Sequence, residues 1–184
     1  DKLSVYGLGI GYPVTKKKIV INCRNSGTTL RLITPLIAGS KINAKIIGDQ
    51  SLSRRPYRLE FLKEFLMNVK PSNKKFLPLE IKGHTDCIQA KININKPSAQ
   101  MITAATLAGI SSYGETIIEC SNNVRDHTSR LLKYLRYPIK IKNNNKKQII
   151  RVLGKQYLHP IKNYVVPSDI SSSAFLICIA ILTK

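Results

Sequence analysis

Apolar and polar positions in this chain follow a pattern that returns about every seventy residues, the mark of a duplicated structural unit. Each copy opens with a Ser-containing turn and an apolar run of helical length, then a short strand, then an Arg-marked second segment. The openings are NSGTTLRLITPLIAG at Asn25–Gly39, PSAQMITAATLAGI at Pro97–Ile110 and SDISSSAFLICIAIL at Ser168–Leu182. Ser26 and Ser98 lie 72 positions apart, Ser98 and Ser172 lie 74 apart. The first two copies continue alike: strand Ile46–Asp49 leads into RRPYRLEFLKEF, and strand Thr116–Cys120 leads into RDHTSRLLKYL.

Read in detail, the pattern predicts a strand at Leu3–Leu8, a Gly-rich turn at Gly7–Gly11 and a strand at Ile19–Cys23. A helix over Thr28–Ala38 and a strand over Ala44–Ile47 follow. The best-marked helix begins at Pro56, with Leu59, Leu62, Phe65, Leu66 and Val69 at helical spacing. KPSNKKF reads as a polar break before strands near Leu79–Lys82 and Ala90–Ile94. In the second unit a helix opens at Pro97 and stops at Gly109, its stripe of Ala99, Thr103, Ala104 and Ala108 implying burial on more than one side. A second Arg-marked helix covers Asp126–Leu135, and NNNKK turns a hairpin between Ile139–Lys142 and Gln148–Leu153. Strands separated by helices, with some strands paired directly, give an α/β fold of mixed sheet topology built from repeated β/α units. Residues 1–160 form most of one lobe in this reading, its second and third units; residues 161–184 form a crossover, near Pro160–Pro167, and the first strand and helix of a second lobe. Asp1 replaces an initiator Met inside a strand-like run, and Lys184 ends an apolar run without a cap, so the expectation is an internal fragment.

Charge narrows the partners. Thirty Lys and Arg against ten Asp and Glu leave a net charge of +20, which favours anionic ligands. The lysines are scattered among Ile and Asn instead of forming a stripe, so small phosphorylated or carboxylated ligands fit better than nucleic acid. Cys23, Cys87, Cys120 and Cys178 form no CxxC and sit in apolar or strand-like settings, as reduced buried thiols of a cytoplasmic protein do. His84, His127 and His159 stand alone without metal-ligand spacing, and no apolar run reaches the ~18 residues of a membrane span.

Candidate chemistry collects at the starts of the helices. GLGIG at Gly7–Gly11 is neither GxGxxG nor followed by a helix, and reads as a plain turn. NSGTT at Asn25–Thr29 joins a strand to a helix: Gly27 lets a backbone N–H approach an anion, while Ser26, Thr28 and Thr29 add hydroxyls at the positive end of the helix. The competing reading is a simple N-cap. Ser98 and Gln100 repeat the geometry at the next helix start. Arg55 in RRP and Arg125 in VRD each follow a strand and precede a helix, at the sheet edge where α/β proteins hold ligands. Arg54 and Arg58 read as members of surface ion pairs.

Taken in order, NSGTTLR, GDQSLSRRP, SAQMITAATLAG, RDHTSRLL and VPSDISSSAF closely resemble the successive signatures of the EPSP synthase family of enolpyruvyl transferases, over essentially the whole chain. The resemblance implies lobes of the inside-out α/β barrel type, each of three β/α units, closing over phosphoenolpyruvate and shikimate 3-phosphate, with no cofactor or metal and with the full-length protein a monomer. By resemblance Gly27, Arg55 and Gln100 match phosphoenolpyruvate contacts, and Ser98, Gln100 and Arg125 match shikimate 3-phosphate contacts, with Asn25, Thr28 and Ala99 as further candidates. The catalytic base is expected beyond Lys184, and Asp169 is not that base. Arg24 stands where the family usually has Gly, Val124 where many members have Ser, and Ser168 where Gly is usual. A sister enolpyruvyl transferase acting on a UDP-sugar shares the fold, but RDHT, SAQ and GDxSLxxRP favour the shikimate enzyme. A basic nucleic-acid-binding module and a non-catalytic lobe are the remaining alternatives.

Overall fold

Two four-stranded sheets with the same strand order carry the first two copies of the repeat. The computed structural model describes residues 3–6, 17–121, 124–144, 147–161, 163–167 and 170–183. In the first unit β1 (Ile19–Asn22) leads to α1 (Gly27–Ala38), β2 (Asn43–Ile47), α2 (Gln50–Ser53), a 3-10 helix (Glu60–Phe65) and the hairpin β3 (Asn68–Asn73) and β4 (Phe76–Lys82). The second unit runs β5 (Lys91–Ile94), α3 (Ala99–Ser111), β6 (Glu115–Ser121), α4 (His127–Tyr134), β7 (Ile139–Asn143) and β8 (Lys147–Leu153), and α5 (Ile170–Leu182) follows. The sheet orders are β1-β2-β4-β3 and β5-β6-β8-β7. Each sheet has a parallel pair, Ile19 opposite Ala44 and Lys91 opposite Ile117, with its hairpin added antiparallel to the second strand.

The local chemistry is duplicated with the topology. Ser26 and Ser98 cap α1 and α3, their side chains accepting from the Thr29 and Met101 N–H groups. Strands such as β6 alternate buried and half-exposed positions, the period-two signature of a sheet covered on one face. Thr34 and Thr106 are both fully buried, and each satisfies its hydroxyl on the carbonyl four residues back, Leu30 and Ile102. α1 and α3 lie against one another, and α3 carries buried residues from Met101 through Ser111, consistent with its small-residue stripe.

The segment after Pro56 is not the expected α-helix. Leu59, Leu62 and Phe65 are buried at a spacing of three, which matches the three-residue turn of a 3-10 helix, while Leu66 is 57% exposed. Left-handed backbone at Arg58 (φ 60°) and Leu66 (φ 61°) ends helical geometry on both sides. Pro56 disfavours helix at Arg55, and the Tyr57 N–H is taken by the Lys75 carbonyl at 2.9 Å. Val69 therefore belongs to β3, opposite Ile81, and the supposed break KPSN is strand, with Pro71 tolerated because β3 is an edge strand.

Residues 3–6 adopt no regular structure and pair with no strand among the described residues, contrary to the strand expected at Leu3–Leu8. The Gly7–Gly11 turn, Ser168, Asp169 and the centre of the NNNKK turn lie outside the described residues. Cys23, Cys87 and Cys120 are buried, but Cys178 is exposed, because α5 presents Phe175, Leu176, Ile179 and Leu182 without cover among the described residues. None of the described helices is long and apolar enough to cross a membrane.

Candidate functional site

Parallel pairing brings the C-terminal ends of β1 and β2 to one sheet edge, and those of β5 and β6 to the equivalent edge of the other sheet. From the first edge the chain turns through Arg24 and Asn25 into α1, and through Gly48 and Asp49 into α2. The two turns are tied together: the Cys23 N–H donates to the Ile47 carbonyl and the Asp49 N–H to the Arg24 carbonyl, each at 2.8 Å. Arg24 makes that turn in the left-handed region (φ 49°), which supplies a physical reason for the glycine usual at this place.

On this frame two hydrogen-bonded groups of side chains form, one tying α2 to the turn before α1 and the other tying α1 to α3. Asp49 caps α2 by accepting from the Leu52 N–H at 2.7 Å through Oδ1, and its Oδ2 accepts from Asn25 Nδ2 at 2.8 Å. These bonds, the Leu52 N–H first, hold its carboxyl below the usual carboxylate range, with Arg55 adding to the effect. Arg55 Nη2 donates to Asn25 Oδ1 at 3.0 Å and to Ser51 Oγ at 2.7 Å, so one edge of the guanidinium is fixed by the protein. Arg31, in the second turn of α1, donates through Nη1 to Gln100 Oε1 at 2.9 Å and to the Gly27 carbonyl at 3.2 Å. Its Nη2 reaches the Pro56 carbonyl at 3.4 Å. Gln100 Nε2 then donates to Thr28 Oγ1 at 2.7 Å.

Gly27, Arg55 and Gln100, with Asn25 and Thr28, are thus brought into one cluster. Ser98 and Ala99 stand beside Gln100 at the start of α3. Arg125 is exposed, just ahead of α4, and no bond joins it to the cluster among the described residues. The start of α4 is nevertheless held to α3 by a 2.6 Å bond between the Thr103 and Thr128 hydroxyls. Val124 packs against the core. Arg54 and Arg58 form no ion pair among the described residues, so the surface-pair reading fails for both. Arg58 instead faces Arg31: burial first, then the charges of Arg58 and Arg55, lower the Arg31 pKa. A cavity of about 580 Å³ adjoins the cluster, with Pro56, Arg58, Lys75, Lys96 and Met101 in its wall.

Arg31, Asp49 and Ser51 are the functional neighbours that sequence reasoning passed over. Arg31 carried a signal, a lone cation in the first turns of an otherwise apolar helix. Chemically the cluster offers clustered guanidinium charge, two helix N-termini and amide and hydroxyl donors, the equipment for carboxylate or phosphate. No group of His, Cys, Asp and Glu able to hold a metal ion occurs among the described residues.

Comparison with known proteins places matches along nearly the whole chain. The profile of the family described as EPSP synthase (3-phosphoshikimate 1-carboxyvinyltransferase) matches residues 2–184. Among similar proteins, the 3-phosphoshikimate 1-carboxyvinyltransferase of Vesicomyosocius okutanii is 36% identical over 98% of this chain and 40% of its own length. That of Clostridium tetani is 38% identical over 94% of this chain and 38% of its own length. The solved EPSP synthase from Acinetobacter baumannii superimposes with a TM-score of 0.74 at 32% identity, covering 84% of this chain and 34% of that one. The chain spans about two fifths of the length of the relatives it matches. Matched along nearly all of its length by the family profile and by relatives more than 30% identical, the chain belongs to the EPSP synthase family.

Proposed function

We propose that the protein containing these residues transfers the enolpyruvyl group of phosphoenolpyruvate to the 5-hydroxyl of shikimate 3-phosphate, releasing phosphate, in the biosynthesis of aromatic amino acids. The observation that carries this reading is the pair of hydrogen-bonded groups Asn25–Arg55 and Arg31–Gln100–Thr28, which hold the family's ligand-matching positions from two units at two helix N-termini. The 5-hydroxyl loses its proton as its oxygen adds to the enol carbon of phosphoenolpyruvate and the methylene carbon takes up a proton; loss of a proton from that carbon then restores the double bond as phosphate leaves. Several anionic groups meet in such a reaction, so donors fixed in advance give the largest benefit.

In this reading Arg55 holds the carboxylate or phosphate of phosphoenolpyruvate with the Nη1 and Nε donors that Asn25 and Ser51 do not take, and the Gly27 backbone stands against the same ligand. Gln100 touches both substrates, and Ser98 and Arg125 hold the phosphate of shikimate 3-phosphate, with Asn25, Thr28 and Ala99 completing the wall. Residues 1–160 supply most of one lobe, residues 161–184 begin the other, and the catalytic base lies beyond Lys184. The complete protein is a cytoplasmic monomer acting on small molecules and on neither nucleic acid nor membrane.

The test is phosphate release by the complete gene product given phosphoenolpyruvate with shikimate 3-phosphate, and in parallel with a UDP-amino sugar. Turnover with the first pair alone supports the assignment. Turnover with the sugar, or with neither, removes it.

A further inference from the structure

The duplicated units differ at one place where duplication would be enough for folding. In the second unit, α3 is tied to the segment that follows β6 by Thr103 and Thr128. The positions one repeat earlier are Arg31 and Pro56, and they make the corresponding tie in the first unit. A threonine suffices for that tie. Arg31 reaches further, across to the other helix, and ends on the Gln100 amide.

Its chemistry there is directional. A guanidinium carries donors only, so the amide atom facing Arg31 Nη1 has to be the oxygen. With Oε1 turned toward Arg31 at 2.9 Å, Nε2 is turned toward Thr28 Oγ1 at 2.7 Å, and the second N–H of that amide is left for a ligand. Rotating the amide by half a turn would set two donors face to face and forfeit a charge-assisted hydrogen bond. Gly27 keeps this arrangement possible, because a Cβ there would stand 2.7 Å from Arg31 Nη1. A side chain at position 27 would therefore displace the Arg31 guanidinium from this place.

We infer that Arg31 is a positioning residue that locks the Gln100 amide with its NH2 group, and not its oxygen, presented to the anionic substrates. The inference rests on the assignment of Gln100 to those substrates made above. An unlocked amide offers a repelling oxygen for part of the time, so the loss falls on productive binding and is carried entirely through Gln100.

The experiment measures kcat/KM for phosphoenolpyruvate in the complete gene product carrying Arg31→Met, Arg31→Lys, Arg31→Gln, Gln100→Ala, and Arg31→Met with Gln100→Ala. Thermal unfolding of each variant is followed in parallel. Arg31→Met is expected to lower kcat/KM by about ten- to a hundredfold, the scale of a lost hydrogen bond to a charged group. Lysine, again a donor only, restores most of that loss; glutamine, able to present either atom, does not. In the Gln100→Ala background Arg31→Met should add less than about a threefold loss, because nothing remains to be oriented. An undiminished Arg31 effect in that background overturns the inference, showing that Arg31 acts through its charge or the fold. If Arg31→Met does not fold, equal activity of the lysine and glutamine variants overturns it equally. Full activity of Gln100→Ala alone, or an inactive unmodified protein, instead removes the functional assignment beneath it.

Discussion

Gln100 Nε2 donates to Thr28 Oγ1 at 2.7 Å, and the two residues are 72 positions apart, one full repeat. Gly39 and Ser111, also one repeat apart, are in close approach at the other ends of the same helices, where a Cβ on Gly39 would lie 2.5 Å from the Ser111 Cβ. Equivalent residues of two copies can touch only near the axis that relates the copies. Contacts of this kind at both ends make α1 and α3 parallel and in step. Their N-termini, each carrying partial positive charge, consequently open at the same level, and the site is a product of the repeat symmetry.

That closeness predicts a cost for any side chain at Gly39. Gly39→Ala should destabilise the protein by about 1–3 kcal/mol, the usual range for overpacking a filled interior. Its backbone is not left-handed, so the loss comes from the helix contact and not from φ. Ser111→Gly removes the opposing Cβ and should recover part of the loss in the double variant. Denaturant midpoints of the four proteins check this; additive losses would show that the helices do not meet here.

Arg24 turns into α1 in the left-handed region, at φ 49°. A side chain there costs about 1–3 kcal/mol in backbone strain, part of which a glycine gives back in chain entropy. Arg24→Gly should therefore raise stability by about 1 kcal/mol, seen as a higher midpoint with an unchanged denaturant slope. A lower midpoint would mean that the Arg24 side chain contributes more than its backbone costs.

Much of this architecture was legible because it is written twice. The Ser-led helix starts and apolar helix runs of the first two units recur with one spacing and survive in the fold, as does the hairpin of β7 and β8, while the first unit's hairpin was hidden in the supposed break KPSN. What failed was the segment after Pro56, where Leu59, Leu62 and Phe65 satisfy both a 3.6- and a 3.0-residue period. Tertiary bonds decide between them: the Tyr57 N–H pairs with the Lys75 carbonyl, and left-handed Arg58 and Leu66 bound the turn. Gly27, Arg55, Ser98 and Gln100 could be named because helix starts and strand ends announce themselves. Arg31 could not be assigned in the same way, since its role depends on a residue 69 positions away on another helix.

Asp49 makes the first unit sensitive to acid. Its carboxyl is held below the ordinary range chiefly by the Leu52 N–H and then by Asn25, so its folded pKa lies below its unfolded value of about 3.9. The stability it contributes is complete above the unfolded value and is lost as pH falls through the folded one. Asp49→Asn keeps a capping oxygen but not the charge. The gap in urea midpoint between the two proteins should be constant near neutrality and close in acid below about pH 4. A gap that persists unchanged in acid would show that the charge of Asp49 contributes nothing.

Arg55 tests the site most directly. Asn25 Oδ1 and Ser51 Oγ both accept from its Nη2, at 3.0 and 2.7 Å, which fixes the plane of the guanidinium and leaves the Nη1 and Nε hydrogens to donate to an anion. Arg55→Lys keeps the positive charge but replaces five donors in a fixed plane with a point ammonium that cannot keep both protein partners and aim further donors at an anion in the same geometry. In the complete gene product kcat/KM for phosphoenolpyruvate should fall by the equivalent of about 2 to 4 kcal/mol, the scale for truncating a paired charge in a closed site. Folding should be little affected, because Arg55 is exposed and the Asp49–Asn25 bond remains. Thermal unfolding beside steady-state kinetics separates the two effects. Near-normal kinetics would demote Arg55 to a surface residue, and a matching collapse in stability would make it a structural one.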